Sequence, residues 1–433
     1  MVHGGVTIRV FAVAWLIAAA PIAAAQCAAI TGQERAVVPG ETSLAAAVAA
    51  AQPGDVLVLG PGRYGGGVVI DKPLTIEGQP GAIVDGGGKG TVIRITGPDV
   101  TVRGLTVRNS GIRQEDIDSG IFADRGGDRA VIEANRLENN EFGVSLRGAA
   151  GAVARGNVVL GRQDLRVNER GDGISVWNAA GARAEDNDVR YGRDGIRSTS
   201  SRDNVFAGNR FHQLRYAIHY MWTDGGTVSN NLSEGNDAGF VIMFSRNLTI
   251  TGNVSRHDHD HGLLLNFANG ARIEDNDVVD GGTECVFIYN ANDNVLRRNW
   301  FEGCPIGVHF TAGSERNRFS ENAFVNNQTQ VMYVGTRSLD WATDGRGNYW
   351  SDNPAFDLNG TGIADMPYRP NDIVDRVVWA VPLAKLLLNS PAVQLVRWAQ
   401  AEFPALTPGG IIDTAPLIRP PPRSPLALES APP

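Results

Sequence analysis

Short apolar runs with period-two alternation recur along most of this chain, each bounded by glycine, asparagine or aspartate. Alternation of that kind predicts short strands with one face buried. The runs repeat. A small or polar residue followed by Asn marks each unit, with Asn at 109, 135, 157, 187, 209, 231, 253, 276, 299 and 322. The spacings are 26, 22, 30, 22, 22, 22, 23, 23 and 23 residues. Eight or nine residues after most of these comes a strand opened by a small residue, as in Gly143-Val144-Ser145-Leu146 and Gly262-Leu263-Leu264-Leu265. A fixed period near 22 with two or three short strands per unit predicts an all-β fold, a right-handed parallel β-helix. The asparagines would sit at turns, where their side chains tolerate left-handed backbone and can bond from rung to rung. The two longer gaps place insertions at Gln114–Ser119 and Gly161–Asp172.

The ends of such a coil need covers. Residues 26–59 are expected to form an N-terminal cap, with a helix over Ser43–Ala51, and 60–340 the coil, in eleven or twelve turns. Residues 341–371 read as loop, 372–403 as C-terminal helices, and 404–433 as a Pro-rich tail, extended or disordered. Residues 1–25 read as a cleaved secretory signal: Arg9, then an apolar run over Val10–Ala20, then Ala23 and Ala25 before Gln26. That places the chain outside the cytoplasm. The formal net charge of −8, with three lysines at 72, 89 and 385, gives no footing for nucleic acid.

Alternation also assigns faces. Aligned on the small residue, the strands present two outward columns. One runs Ser145, Ser175, Arg197, His219, Val241, Leu264, Phe287, His309, Met332. The other runs Arg147, Trp177, Thr199, Met221, Met243, Asn266, Tyr289, Thr311. Of the four methionines after Met1, three fall in these columns. His219, Met221 and Met243 would converge across two rungs, and His309 and Met332 form a second, looser pair. Thioether and imidazole are soft to borderline ligands, so this set suits copper as Cu(I). Outward methionines also cover sheets without binding anything, and a one-residue slip in register would turn the whole set inward. In His257-Asp258-His259-Asp260-His261, an extended backbone would put His257, His259 and His261 on one side, as metal ligands or acid–base groups. Cys285 and Cys304 lie one rung apart and read as small buried residues, with a disulfide geometrically open. Asp357-Leu358-Asn359-Gly360-Thr361-Gly362 fits a rigid turn and also a calcium loop.

Several stretches resemble the NosD family of periplasmic β-helix proteins. They are Ile70-Asp71-Lys72-Pro73-Leu74-Thr75, Val84-Asp85-Gly86-Gly87-Gly88, Tyr216-Ala217-Ile218-His219-Tyr220-Met221, Gly347-Asn348-Tyr349-Trp350-Ser351-Asp352 and Met366-Pro367-Tyr368-Arg369-Pro370. The helical and Pro-rich C-terminus matches as well. The resemblance implies a periplasmic copper-handling accessory protein and not an enzyme. Its implied partners are the permease and ATPase of an ABC transporter, a lipoprotein copper chaperone, and nitrous oxide reductase, whose copper sites it would help assemble. The helices at 372–403, rich in Val and Leu yet too short to span a bilayer, would dock on the permease. Parallel β-helices also serve as polysaccharide lyases and C5-epimerases on acidic glycans, and the His257–His261 segment superficially resembles an alginate epimerase strand. Few outward Arg and Lys are present to neutralise a uronate, which favours the accessory reading.

Overall fold

The computed structural model describes Met1 and residues 32–311, 313–335, 337–387, 390–402 and 410–429. The leader expected at 1–25 lies outside them, apart from Met1. From Glu34 to Trp350 the chain coils through three parallel sheets of 13, 12 and 13 strands. The coil therefore begins earlier and ends later than the repeat alone suggested. Each rung gives one strand to each sheet. Strands of the first and third sheets are mostly three residues long, while from Phe142 onward those of the second are mostly six. The second sheet runs from Val68–Ile70 to Thr329–Val334.

The asparagine ladder holds the turn between the first and third sheets. Asn135, 157, 187, 209, 231, 253, 276, 299 and 322 are buried, and each backbone N–H donates to the side-chain oxygen of the next asparagine at 3.0–3.1 Å. Each side-chain N–H2 reaches a backbone carbonyl of the preceding rung, as from Asn253 to Val228 at 2.9 Å. Asn348 ends the ladder and was not in the repeat as read. Asn109 was counted but does not belong. Its position aligns with Asn139, and the ladder position in its rung is Leu105, whose N–H donates to Asn135. The left-handed residue is also not the ladder asparagine but the one before it: Ala134, Gly156, Asp186, Gly208, Asn230, Gly252 and Asp275 all have φ between 52° and 67°. The small or polar residue of the motif makes the bend, and the Asn amide then satisfies the buried backbone groups the bend leaves.

The N-terminal helix, Ser43–Ala50, buries Leu44 and Val48 over the first rungs. At the other end the stretch read as loop supplies the last rung. Trp341 stacks on Phe319 at 4.0 Å and Trp350 on Phe324 at 4.3 Å, closing the core with aromatic rings. Described parts of the tail return to the coil. Ile411–Ile412 pairs with Leu339–Asp340, and buried Asp413 accepts from Asn348 N–H and Trp350 Nε1. Arg423 then reaches back to Asp277 at 2.8 Å, and Ala427 packs on Leu232 and Val254. The tail is ordered here because the last rung leaves open polar groups that Asp413 satisfies.

Helices Ile373–Ala380 and Pro391–Glu402 flank a 3-10 turn at Pro382–Leu387. Asp372 and Asp375 form a reciprocal capping box at the first helix. Among the described residues no helix is long and apolar enough to cross a membrane.

One buried acid departs from the asparagine pattern. Asp258 accepts from Asn236 N–H, Ser233 Oγ and Ser255 Oγ, at 2.8, 2.7 and 2.6 Å. Burial pushes its carboxyl up to about 6, above its ordinary 3.8, against those bonds. The folded state thus holds the proton more tightly than the unfolded chain. Its contribution is full below about pH 4 and is lost as pH rises through about 6, an effect on the order of 2–3 kcal/mol. Asp258→Asn, which keeps the acceptor and adds the donor that Asn236 uses, is expected to raise stability at pH 7 and flatten that slope. Denaturant melts of both chains at pH 4.5 and 7 check this; equal slopes would refute it.

Candidate functional site

The outward face of the second sheet carries the candidate chemistry. Its register pairs Arg197 with His219, His219 with Val241, Met221 with Met243, Phe287 with His309 and His309 with Met332. These pairings agree with the two columns read by alternation. In-register side chains on adjacent strands stand about 4.8 Å apart, so Met221 and Met243 are neighbours, with His219 two residues from Met221 on the same face.

His219 is outward yet only 5% exposed. Its Nδ1 lies 3.0 Å from Asp194 Oδ2, one rung back. Asp194 is fully buried and also accepts from Arg215 Nε at 2.8 Å and a terminal nitrogen at 2.7 Å. Burial pushes the Asp194 carboxyl up, but the His219 and Arg215 bonds outweigh it and hold it below its ordinary range. Tyr216 stands edge-on to the imidazole at 5.3 Å, over the Arg215 guanidinium at 4.3 Å. Across the ring, His219 Nε2 is buried with no hydrogen-bond partner. A buried nitrogen with nothing to bond is costly unless something occupies it.

A second cluster forms four rungs further on. His309 Nδ1 lies 2.9 Å from Glu284 Oε1. His261 Nδ1 lies 2.5 Å from the other oxygen, Glu284 Oε2. Phe287 lies between the two imidazoles, at 5.6 Å from His261 and 4.9 Å from His309. Burial pushes the Glu284 carboxyl up, but the flanking imidazoles more than reverse this, to about 2.

His257, His259 and His261 do not share a side. His257 sits at a left-handed turn (φ 55°), His259 in the bend after it, and only His261 begins the strand. Each faces a different acid: Asp280 at 3.7 Å, Asp237 at 3.7 Å, and Glu284. The alternation argument fails because the segment is not extended: His257 stands at the left-handed turn that Gln213, Gly235, Asp280, Gly303 and Asn326 make in neighbouring rungs. His261 instead joins His309, a pairing invisible at the sequence level because it spans two rungs.

Other expectations resolve in the same way. Cys285 and Cys304 form a disulfide, Cα to Cα 5.6 Å. Asp357 spends both oxygens on the N–H groups of Gly360, Thr361 and Gly362, the bonding of a rigid turn. Among the described residues no group of three or more His, Cys, Asp and Glu is arranged to hold an ion; the two clusters here mix imidazole with thioether. The arginines near His219 are taken by acids: Arg193 and Arg197 face Asp172, Arg215 faces Asp194, and Arg162 faces Asp164 and Glu141.

Two features were missed at the sequence level. The acids Asp194 and Glu284 each precede their histidine by 25 residues, and that shared offset is a readable signal. Beside Met221 and Met243, an exposed aromatic stripe runs along the coil. Trp222 stacks on Phe244 at 5.7 Å and Phe244 on Phe267 at 5.2 Å, with Tyr289 edge-on at 6.0 Å. Trp222, Phe244 and Phe267 hold φ of 48–50°, at a turn where earlier rungs carry Gly148, Asn178 and Ser200. Bulky residues in that region store strain, which proteins keep at functional surfaces.

The coil is similar to solved polysaccharide-active proteins in fold alone. A mannuronic acid specific polysaccharide family 6 lyase from human gut microbiota superposes with TM-score 0.56 at 14% identity, covering 74% of this chain and 87% of that one. A family 28 exopolygalacturonase of Yersinia enterocolitica superposes with TM-score 0.56 at 12% identity, covering 70% and 77%. Sequence relatives are far nearer. A protein of Stutzerimonas stutzeri described as a probable ABC transporter binding protein NosD is 38% identical over 372 residues, 83% of this chain and 85% of its own. Its counterpart from Pseudomonas aeruginosa, with the same description, is 40% identical over 380 residues, 85% and 89%. Residues 152–355 match the model of the periplasmic copper-binding protein family NosD, a span that includes both histidine clusters. With that identity over more than four fifths of its length, the chain belongs to the NosD family.

Proposed function

We propose that this chain carries Cu(I) as cargo on the outer face of its second sheet and passes it toward assembly of the copper sites of nitrous oxide reductase. The observation that carries the reading is the Met221–Met243 register pair beside His219, whose Nε2 is buried and unbonded. Two thioethers and an imidazole form a low-charge, soft donor set of the kind Cu(I) accepts. His309 and Met332, with His261 across Glu284, would make a second station. His257 and His259 are left out, because they sit in the turn before the strand and face Asp280 and Asp237, whereas His261 shares Glu284 with His309. The aromatic stripe beside the methionines supports contact with a partner protein there. The paired arginines speak against a uronate substrate. Titration of the purified chain with Cu(I) under reductant, against a competing chelator, tests this. Tight uptake of up to two ions per chain is expected; no uptake above that of a β-helix without outward Met and His would sink it.

An ABC transporter permease is the proposed partner of the C-terminal helices, with the ATPase beyond it. Val377, Val381, Leu383, Leu386, Leu387, Leu395 and Trp398 are each more than half exposed, an apolar surface that the coil does not cover. The 3-10 turn and second helix do not seal the last rung, which Trp350 and Asp413 close instead. Cutting the chain after residue 371 would remove Asp413, so substitution is the cleaner test. Leu383, Leu386, Leu387 and Trp398 changed together to Ser or Gln are expected to leave melting within about 1 kcal/mol of wild type, as surface changes do, and to abolish co-purification with the permease. Retained assembly would rule the docking out.

A further inference from the structure

We propose that Asp194 and Glu284 are positioning residues. They hold His219 and His309 as Nδ1–H tautomers, so that Nε2 of each ring is the nitrogen offered to metal. The inference rests on the copper reading and names how its histidines are set. Two independent rungs carry the same device. In each, the acid opens a strand of the second sheet, and the histidine stands fourth in the strand one rung later, 25 residues on. The Nδ1 to carboxylate distances are 3.0 and 2.9 Å.

A carboxylate accepts and does not donate, so a neutral ring beside it must carry its proton on Nδ1. The lone pair then resides on Nε2. Free imidazole prefers the opposite tautomer, so the carboxylate selects the ligating form, as it does for metal-bound histidines in general. Arg215, bonded to both oxygens of Asp194, fixes the carboxylate in place beside Nδ1. Glu284 has no arginine, and the second imidazole, His261, takes the corresponding place. Each ring also has a thioether within one rung: Met221 on the strand of His219, and Met332 in register with His309. Anchoring through Nδ1 alone also leaves Nε2 free; the thioether beside each ring is what directs that nitrogen toward a soft metal.

The test is 15N NMR of the copper-free full chain labelled at histidine, at pH 8, followed by Cu(I) competition. In wild type both rings are expected to show protonated Nδ1 and bare Nε2. Glu284→Ala is expected to move His309 to mainly Nε2–H, weaken Cu(I) at that station about 10- to 100-fold, and leave the His219 station unchanged. Asp194→Ala should do the reverse; should losing the Arg215 partner unfold it, the Glu284 variant still decides. An Nε2–H tautomer in wild type, or an unmoved His309 in Glu284→Ala, overturns the proposal. Correct tautomers in a chain that takes up no Cu(I) would overturn the copper reading instead, and the two failures are thereby told apart.

Discussion

Asn253→Ala is expected to cost the coil about 4 kcal/mol, a large share of what holds a typical domain folded. The side chain is fully buried and makes five hydrogen bonds. Its oxygen accepts from the backbone N–H and the side-chain amide of Asn231, at 3.0 and 2.9 Å. Its nitrogen donates to the carbonyls of Val228 and Thr251 and to the Asn276 oxygen. Alanine leaves the Asn231 N–H buried without a partner, at about 1–3 kcal/mol, and the other lost bonds cost about 1 kcal/mol each at the lower end. The gap also breaks a chain of bonds that runs through neighbouring rungs, and a solenoid's stability is a sum of such neighbour terms. Asn109 is the control. It is half-buried, outside the ladder, with φ 57°. Asn109→Gly keeps the left-handed turn open and loses two bonds, to Asp85 and from Asn139, both of whose partners keep other bonds or solvent, and should cost about 1–2 kcal/mol. Guanidinium unfolding, with amide exchange at Asn231 as a local probe, measures both. Equal costs would refute the ladder's energetic role.

Changing His219 to Ala with Met221 and Met243 to Leu is expected to lower Cu(I) affinity at the first station by more than about 100-fold, since all its soft donors are gone. The fold should persist. Met→Leu conserves volume, and Asp194 keeps Arg215 when His219 is removed. Stoichiometry should fall by one ion per chain, with the His309–Met332 station intact. Single Met→Leu changes should each cost less than the triple, because Cu(I) is stable with two ligands as well as three. Unchanged Cu(I) affinity in the triple variant would remove the site.

Much of this protein is legible from the chain itself. Period-two alternation and the 22-residue repeat determined the parallel coil, the inward set and the two outward columns, because burial on one face of a strand leaves one register open. They placed Met221 beside Met243 and His309 beside Met332, since a solenoid turns sequence period into spatial neighbourhood. The repeat did not reveal how many rungs exist, because the first rungs lack the asparagine and the last one, Asn348, follows at an irregular 26 residues, and it misassigned Asn109, because two turns of one rung can both use Asn. What only the tertiary structure decided is everything that crosses rungs at an offset. His261 meets His309 through Glu284, two rungs apart, while His257 and His259 turn away. The Cys285–Cys304 bond and the return of Arg423 to Asp277 are of the same kind. Alternation reports which face a side chain takes. Which acid, ring or thiol it then meets depends on strand stagger and on where the left-handed turn between strands falls, and those are set by packing across rungs, not by local alternation.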